Sequence, residues 1–233
     1  MGGYGCRHQL RWISYAMARR LRPEIEQLFE NKNPEIEVKN MDDFISNYDK
    51  LIGDEIGDAS GGENKTLQKI IAERKGWNKN PEVISENEAK KYTDFLYRGF
   101  SKKEFAEGYA ETKFSGTGIY GNGDYFGKNE KIAKDYALEK DAIIKIAIPS
   151  DFKKIKYSEI RKITDDYNSE IISQMFKIYK TNPELANQIQ KNSANFNDVG
   201  FMATLLGYDG IEVDRGGDDY FVLLNKSKIK IVK

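Results

Sequence analysis

Two chemically versatile residue types are almost missing from this chain. It has one cysteine, Cys6, and one histidine, His8, in 233 residues. A lone thiol excludes an intrachain disulfide and is compatible with a reducing compartment. A structural zinc site needs about four soft ligands. Cys6-Arg7-His8 offers two with no other Cys or His to join them, so no metal is expected. An excess of charge of one sign is missing too. Lys+Arg and Asp+Glu number 37 each, for a net charge of zero, which removes any global electrostatic reason to expect nucleic acid or a membrane surface as a partner. The local cluster Arg19-Arg20-Leu21-Arg22 reads as the solvated face of a helix. No run of about 18 apolar residues occurs, so no membrane span is expected. Residues 10–18 contain Arg11 and lack the apolar centre of a signal peptide.

What is present fits a folded chain with a charge-rich surface. Hydrophobic residues make up 39% and charged residues 32%, with twelve Phe and fourteen Tyr, too apolar and aromatic for wholesale disorder. The length suits one large domain or one domain with a helical extension. Periodicity predicts helices over 13–29, interrupted by Pro23, over 41–51, and over 67–74 with Leu67, Ile70 and Ile71 inward and Gly76 as the stop. Residues 53–62 read as a loop and 77–81 as a turn. Ser85 and Glu88 have capping-box spacing and predict a helix over 85–95.

The texture then changes. Residues 95–99 are short and aromatic and lead into a polar segment and a glycine-rich loop. Helices are expected over 132–138, 157–179, 182–194 with Pro183 at its first position, and 201–206 closed by Gly207. Strands are expected over 142–148, 210–213, 220–224 and 229–232, with Gly216-Gly217 as a turn. Helices first and mixed elements afterwards predict an α+β architecture, divided into an N-terminal helical region, 1–90, and a second domain, 91–233.

Gly116-Thr117-Gly118-Ile119-Tyr120-Gly121 has the letters of a dinucleotide fingerprint, and Asp141 follows Gly121 by 20 positions. The fingerprint works only between a buried strand and a helix N-terminus, where free N–H groups meet the pyrophosphate. Here polar residues precede the glycines and Asn122-Gly123-Asp124 prolongs the loop. The context therefore argues against a Rossmann site.

A different constellation covers more of the chain. Leu96-Tyr97-Arg98-Gly99, then Gly121-Asn122-Gly123-Asp124-Tyr125-Phe126-Gly127 with Ala133 and Tyr136 behind it, then Asp219-Tyr220-Phe221-Val222, stand in that order across residues 96–225. Together they resemble the ADP-ribosyltransferase superfamily. The first resembles its opening core strand, the second the Gly-x-Gly-x-Tyr-Phe region of its poly(ADP-ribose) polymerase-like branch, and the third the strand bearing its catalytic carboxylate. Tyr125 and Tyr136 are 11 apart, the spacing of that branch.

The resemblance implies a split mixed β-sheet and NAD as substrate. It implies that Arg98 grips the ribose or phosphates, and that the Gly99 backbone binds the nicotinamide carboxamide. Tyr125 and Tyr136 would sandwich the ring, with Phe126 beside them and Gly127 and Ala133 as small walls. Asp219 would be the catalytic carboxylate. Physically, a guanidinium forks onto phosphate oxygens, flat aromatic faces stack on a ring, and a fixed anion stabilises the positive charge that develops on the ribose as its bond to nicotinamide breaks. Asp219 stands where Glu is usual, and Asp218, Glu212 and Asp214 remain alternatives. Arg98 is the toxin-like branch's residue while Tyr125 is the polymerase-like branch's, and Ser115 with Thr117 could echo the Ser-Thr-Ser motif of the former. The missing Glu implies transfer of a single ADP-ribose.

Cys6-Arg7-His8-Gln9-Leu10 is also similar to a segment of phage minor capsid proteins. That suggests a phage or prophage effector, cytoplasmic in a host bacterium or carried in the virion. Three functions are therefore expected in competition: a mono-ADP-ribosyltransferase acting on a macromolecular acceptor, protein before nucleic acid; an NAD glycohydrolase of the same fold; and a non-catalytic NAD-binding or virion structural module.

Overall fold

The computed structural model of the chain describes residues 67–111, 116–139, 141–191, 196–217 and 219–233. The expectations for 13–29, 41–51 and 53–62, together with Cys6, His8, the Arg19–Arg22 cluster, Ser115 and Asp218, lie outside the described residues.

Along the chain come α1 (Leu67–Arg74), β1 (Glu82–Ile84), α2 (Glu86–Ala89), β2 (Phe95–Gly99), α3 (Lys103–Glu107) with a 3-10 turn (Gly108–Ala110), β3 (Asp124–Gly127) and α4 (Glu130–Tyr136). There follow β4 (Ile143–Ala147), β5 (Lys154–Lys156), α5 (Tyr157–Thr181), α6 (Pro183–Lys191), α7 (Val199–Leu205), β6 (Gly210–Val213), β7 (Tyr220–Leu223) and β8 (Lys230–Val232). The architecture is α+β.

Local chemistry accounts for most boundaries. In α1, Leu67, Ile70 and Ile71 face inward, and the chain leaves the helix through Gly76 at φ +73°, a left-handed conformation that suits glycine. Ser85 forms the expected capping box: its Oγ accepts from the Glu88 N–H at 3.3 Å, and its own N–H donates to Glu88 Oε2 at 2.9 Å. The helix behind the box is one turn, however, and does not run to 95. Phe95 is drawn into β2, where it pairs with Ala147 of β4. Asn129 caps α4 by accepting the Ile132 N–H at 3.0 Å, and Pro183 takes the first position of α6.

The eight strands form one mixed sheet in the order β1-β8-β4-β2-β3-β7-β6-β5. β1 runs parallel to β8 and β5 parallel to β6, and the other neighbours are antiparallel. Residues 67–90, expected in the N-terminal helical region, thus supply α1 and β1, and β1 is hydrogen-bonded into the sheet. The weak point of the sheet is its middle. β2 and β3 meet through one partnered pair, Tyr97 with Gly127, whereas β2 pairs with β4 along its whole length. The sheet is therefore two four-stranded halves joined at a narrow seam.

Side chains alternate between the two faces of a strand. One face of the β7–β6 half carries Val222, Ile211 and Val213, which pack with Ile71 of α1, Ile160 and Ile171 of α5, Ile189 of α6 and Phe201 of α7. The matching face of the other half carries Ala147 and Val232, covered by Ala89 of α2. The opposite face runs unbroken across the seam: Leu96, Phe126, Ile144, Ile146, Phe221 and Ile231 pack with Tyr109 and Phe152.

Candidate functional site

On the face covered by most helices, where β2 and β3 share one partnered pair, lies a cleft of about 420 Å³, within the size range of small-ligand sites. Tyr97 and Gly99 of β2, Tyr125 and Gly127 of β3 and Tyr220 of β7 border it from the sheet, with Ile132, Ala133 and Tyr136 of α4 on one side. Thr117, Gly118, Ile119 and Tyr120 border it from the loop before β3, and Arg215 from the turn between β6 and β7.

Small residues bring α4 close. A Cβ built on Gly99 would lie 2.0 Å from the Ala133 carbonyl oxygen and 2.8 Å from the Ala137 nitrogen, and one on Gly127 would lie 2.7 Å from Ile132 Cβ. Glycine at both positions therefore lets the helix lie directly on β2 and β3. Tyr136, on the outer turn of α4, is exposed, and its hydroxyl lies 3.4 Å from that of Tyr220. The two tyrosines form one rim of the cleft.

The glycine-rich loop leads into a strand, β3, and not into a helix. It is held by side chains on two helices. Asp198, the N-cap of α7, accepts the Phe201 N–H at 2.7 Å and the Asn122 N–H at 3.1 Å, and burial raises its pKa above the usual carboxylate value. Gln68 of α1 donates to the Asn122 carbonyl at 3.0 Å. Tyr125 holds the loop from below. Its hydroxyl accepts the Tyr120 N–H and donates to the Gly121 carbonyl, both at 2.9 Å, and burial raises its pKa. Gly118 lies so close on the Tyr125 ring that any Cβ would fall 2.4 Å from Cζ.

Of the residues expected to bind a dinucleotide, Gly99, Tyr125, Ala133, Tyr136 and Gly127 gather at this cleft. Arg98 and Phe126 border it, but their side chains run to the other face of the sheet. The alternation that turns Tyr97 and Gly99 toward the cleft turns Arg98 away. Arg98 Nη1 lies 2.8 Å from Asp124 Oδ1, and the guanidinium sits 5.1 Å from the centroid of Phe100 and 5.8 Å from that of Phe126. The Phe126 ring is buried and meets Tyr109 edge-on at 5.9 Å. Asp124 Oδ2 accepts the Tyr109 hydroxyl at 2.8 Å, and burial, reinforced by Asp124, pushes that hydroxyl's pKa well up. Lys226 stands 3.8 Å over the Tyr109 ring. Arg98 thus belongs to a polar cluster behind the sheet.

Asp219 precedes β7, and its Oδ1 accepts the Arg215 N–H at 3.1 Å. Among the described residues, no Asp or Glu borders the cleft. Of the alternatives, Glu212 lies 3.3 Å from Lys128 Nζ, and Asp214 accepts the Gly216 N–H at 2.9 Å. Both carboxylates are thus engaged in the scaffold around β6. Tyr97, Tyr120, Arg215 and Tyr220 were not singled out as site residues from the sequence. Alternation from Tyr125 and Gly127 through the strand pairing could have found Tyr220. Nothing local marks Arg215.

Among the described residues, no group of three or more His, Cys, Asp or Glu is placed to hold a metal ion, and no helix is long and apolar enough to cross a membrane. Fold and site together define an α+β protein with an aromatic cleft of small-molecule size at the seam of its sheet. No family model, no curated protein and no solved structure matches this chain.

Proposed function

We propose that the chain is a mono-ADP-ribosyltransferase of the ADP-ribosyltransferase fold. It binds NAD at the seam cleft and transfers one ADP-ribose to a macromolecular acceptor, a protein before a nucleic acid, in the cytoplasm of a bacterial host. The observation that carries this reading is the convergence of Gly99, Gly127, Ala133, Tyr125 and Tyr136 on one cleft where a mixed sheet divides. Motif order alone points to those residues, which lie up to 37 positions apart in the chain, from Gly99 to Tyr136.

In this reading the half-buried backbone of β2 at Gly99 meets the carboxamide, and Tyr125 and Tyr136 flank the ring. The bond between the ribose anomeric carbon and the nicotinamide nitrogen breaks, and its electron pair leaves with neutral nicotinamide. The positive charge left on the ribose is discharged by an acceptor nucleophile, which loses a proton. Asp219 is the carboxylate assigned to that charge. Its Oδ1 is occupied by the Arg215 N–H, while Oδ2 makes no hydrogen bond among the described residues.

One observation favours a second reading. With no Asp or Glu among the described residues that border the cleft, a non-catalytic NAD-binding module is the competitor. Incubation with labelled NAD and a bacterial lysate separates the readings. The transferase labels a discrete product, and Asp219→Ala abolishes the label. Nicotinamide release without labelled product supports the NAD glycohydrolase. Binding of NAD without turnover supports the module. Equal labelling by Asp219→Ala refutes the role given to that carboxylate.

A further inference from the structure

A dinucleotide carries two negative charges on its diphosphate, which a protein meets with free backbone N–H groups or with a cationic side chain. Among the described residues bordering the cleft, two are cationic, Arg98 and Arg215. Arg98 is neutralised by Asp124 behind the sheet. Arg215 is exposed and has no carboxylate partner among the described residues.

We propose that Arg215 is the residue that grips the diphosphate, in place of Arg98. The inference rests on the NAD reading above and deepens it. The turn that carries Arg215 is built to hold it still. Its own N–H is bound by Asp219 Oδ1 at 3.1 Å, and the next N–H, of Gly216, by Asp214 Oδ1 at 2.9 Å. Gly216 at φ +70° and Gly217 at φ +135° turn the chain back toward β7 in conformations that other residues rarely adopt. The guanidinium sits 6.0 Å from the centroid of Tyr120, and Tyr120 is itself braced edge-on by Tyr157 at 5.2 Å.

An aromatic face beside a guanidinium restricts its orientation while leaving its N–H fork open to phosphate oxygens. Thr117 also borders the cleft. The ligand therefore lies with its nicotinamide end against α4 and its diphosphate under the β6–β7 turn. Asp219 acquires a second duty as the brace that positions Arg215.

Calorimetric titration of the intact chain with NAD, ADP-ribose and nicotinamide tests this, using Arg215→Ala and Arg215→Lys beside the unaltered protein. Arg215→Ala is expected to weaken NAD and ADP-ribose by about ten- to a hundredfold, the loss of one charge-assisted contact, and to leave nicotinamide and the melting temperature unchanged. Arg215→Lys, which keeps the charge and loses the fork, is expected to fall between. Higher salt is expected to weaken ADP-ribose more for the unaltered protein than for Arg215→Ala. ADP-ribose affinity within twofold of the unaltered protein overturns the inference and leaves the cleft reading standing. Equal loss of nicotinamide and ADP-ribose assigns Arg215 a purely structural role and also overturns it. Failure of the unaltered chain to bind any of the three overturns the NAD reading and this inference with it.

Discussion

Replacing Gly99 with alanine probes the contact that shapes the cleft. The added methyl would sit 2.0 Å from the Ala133 carbonyl oxygen and 2.8 Å from the Ala137 nitrogen. Ordinary van der Waals contact begins near 3.4 Å, so α4 must retreat from β2 by on the order of 1.4 Å at that point. Both obstructing atoms are backbone, and no side-chain rotation relieves the clash. Overpacking of this kind costs about 1–3 kcal/mol, and the upper end applies where backbone meets backbone. For a chain of this size that is a fall in melting temperature of about 6–12 °C. The helix carries Ala133 and Tyr136 with it, so NAD affinity should fall by more than the loss of folded protein explains. Gly108→Ala is the control, because its Cβ meets nothing within 4 Å and its φ of −79° suits any residue. It should be neutral or stabilising by about 0.4–1 kcal/mol. Thermal unfolding of the two variants decides the matter, and a Gly99→Ala protein that melts with the parent refutes the packing of α4 on β2.

Tyr125→Phe removes the hydroxyl that takes the Tyr120 N–H and serves the Gly121 carbonyl. It should cost about 1–3 kcal/mol and speed amide exchange at Tyr120, and unchanged exchange there would contradict the anchoring role. Burial, with a smaller push from Arg98 and against the pull of Asp124, lowers the Lys226 pKa from 10.5 to about 8. Below about 8 the ammonium's burial cost is present in full. Between about 8 and 10.5 the unfolded chain holds a proton that the folded chain has lost, so stability rises with pH. Lys226→Met should therefore gain most over the parent in urea unfolding at pH 7, with the advantage shrinking toward pH 10. A difference that does not change with pH would contradict the depressed pKa.

Legibility in the sequence depended on how local the cause was. The α1 helix with its Gly76 stop, the Ser85–Glu88 box and the Gly207 stop after α7 are written in neighbouring residues, and they are found where spacing puts them. Two edge strands were not legible. In β1 only Ile84 is buried, and in β5 only Ile155, between two lysines. Each is a strand because a partner lies beside it, Ile231 of β8 opposite Val83 and Ile211 of β6 opposite Ile155, and pairing across such sequence distances leaves no local trace. The helix expected over 85–95 failed for the same reason, since Phe95 answers to Ala147.

The site divides similarly. Motif order singles out Gly99, Tyr125 and Tyr136, and the fold brings them to one cleft. The direction of the Arg98 side chain was readable from alternation along β2, because Tyr97 and Gly99 cannot both face the cleft with Arg98 between them doing the same. Arg215 was not, because its place at the cleft depends on how the β6–β7 turn folds back over Tyr120.

The central claim is that the seam cleft binds NAD by its nicotinamide end, and crystals of the chain soaked with NAD test it most directly. The account predicts density for the nicotinamide ring between Tyr125 and Tyr136, its carboxamide on the β2 backbone at Gly99, and the ribose toward Asp219. A ring bound elsewhere, or an empty cleft at NAD concentrations that saturate the protein in solution, would contradict it.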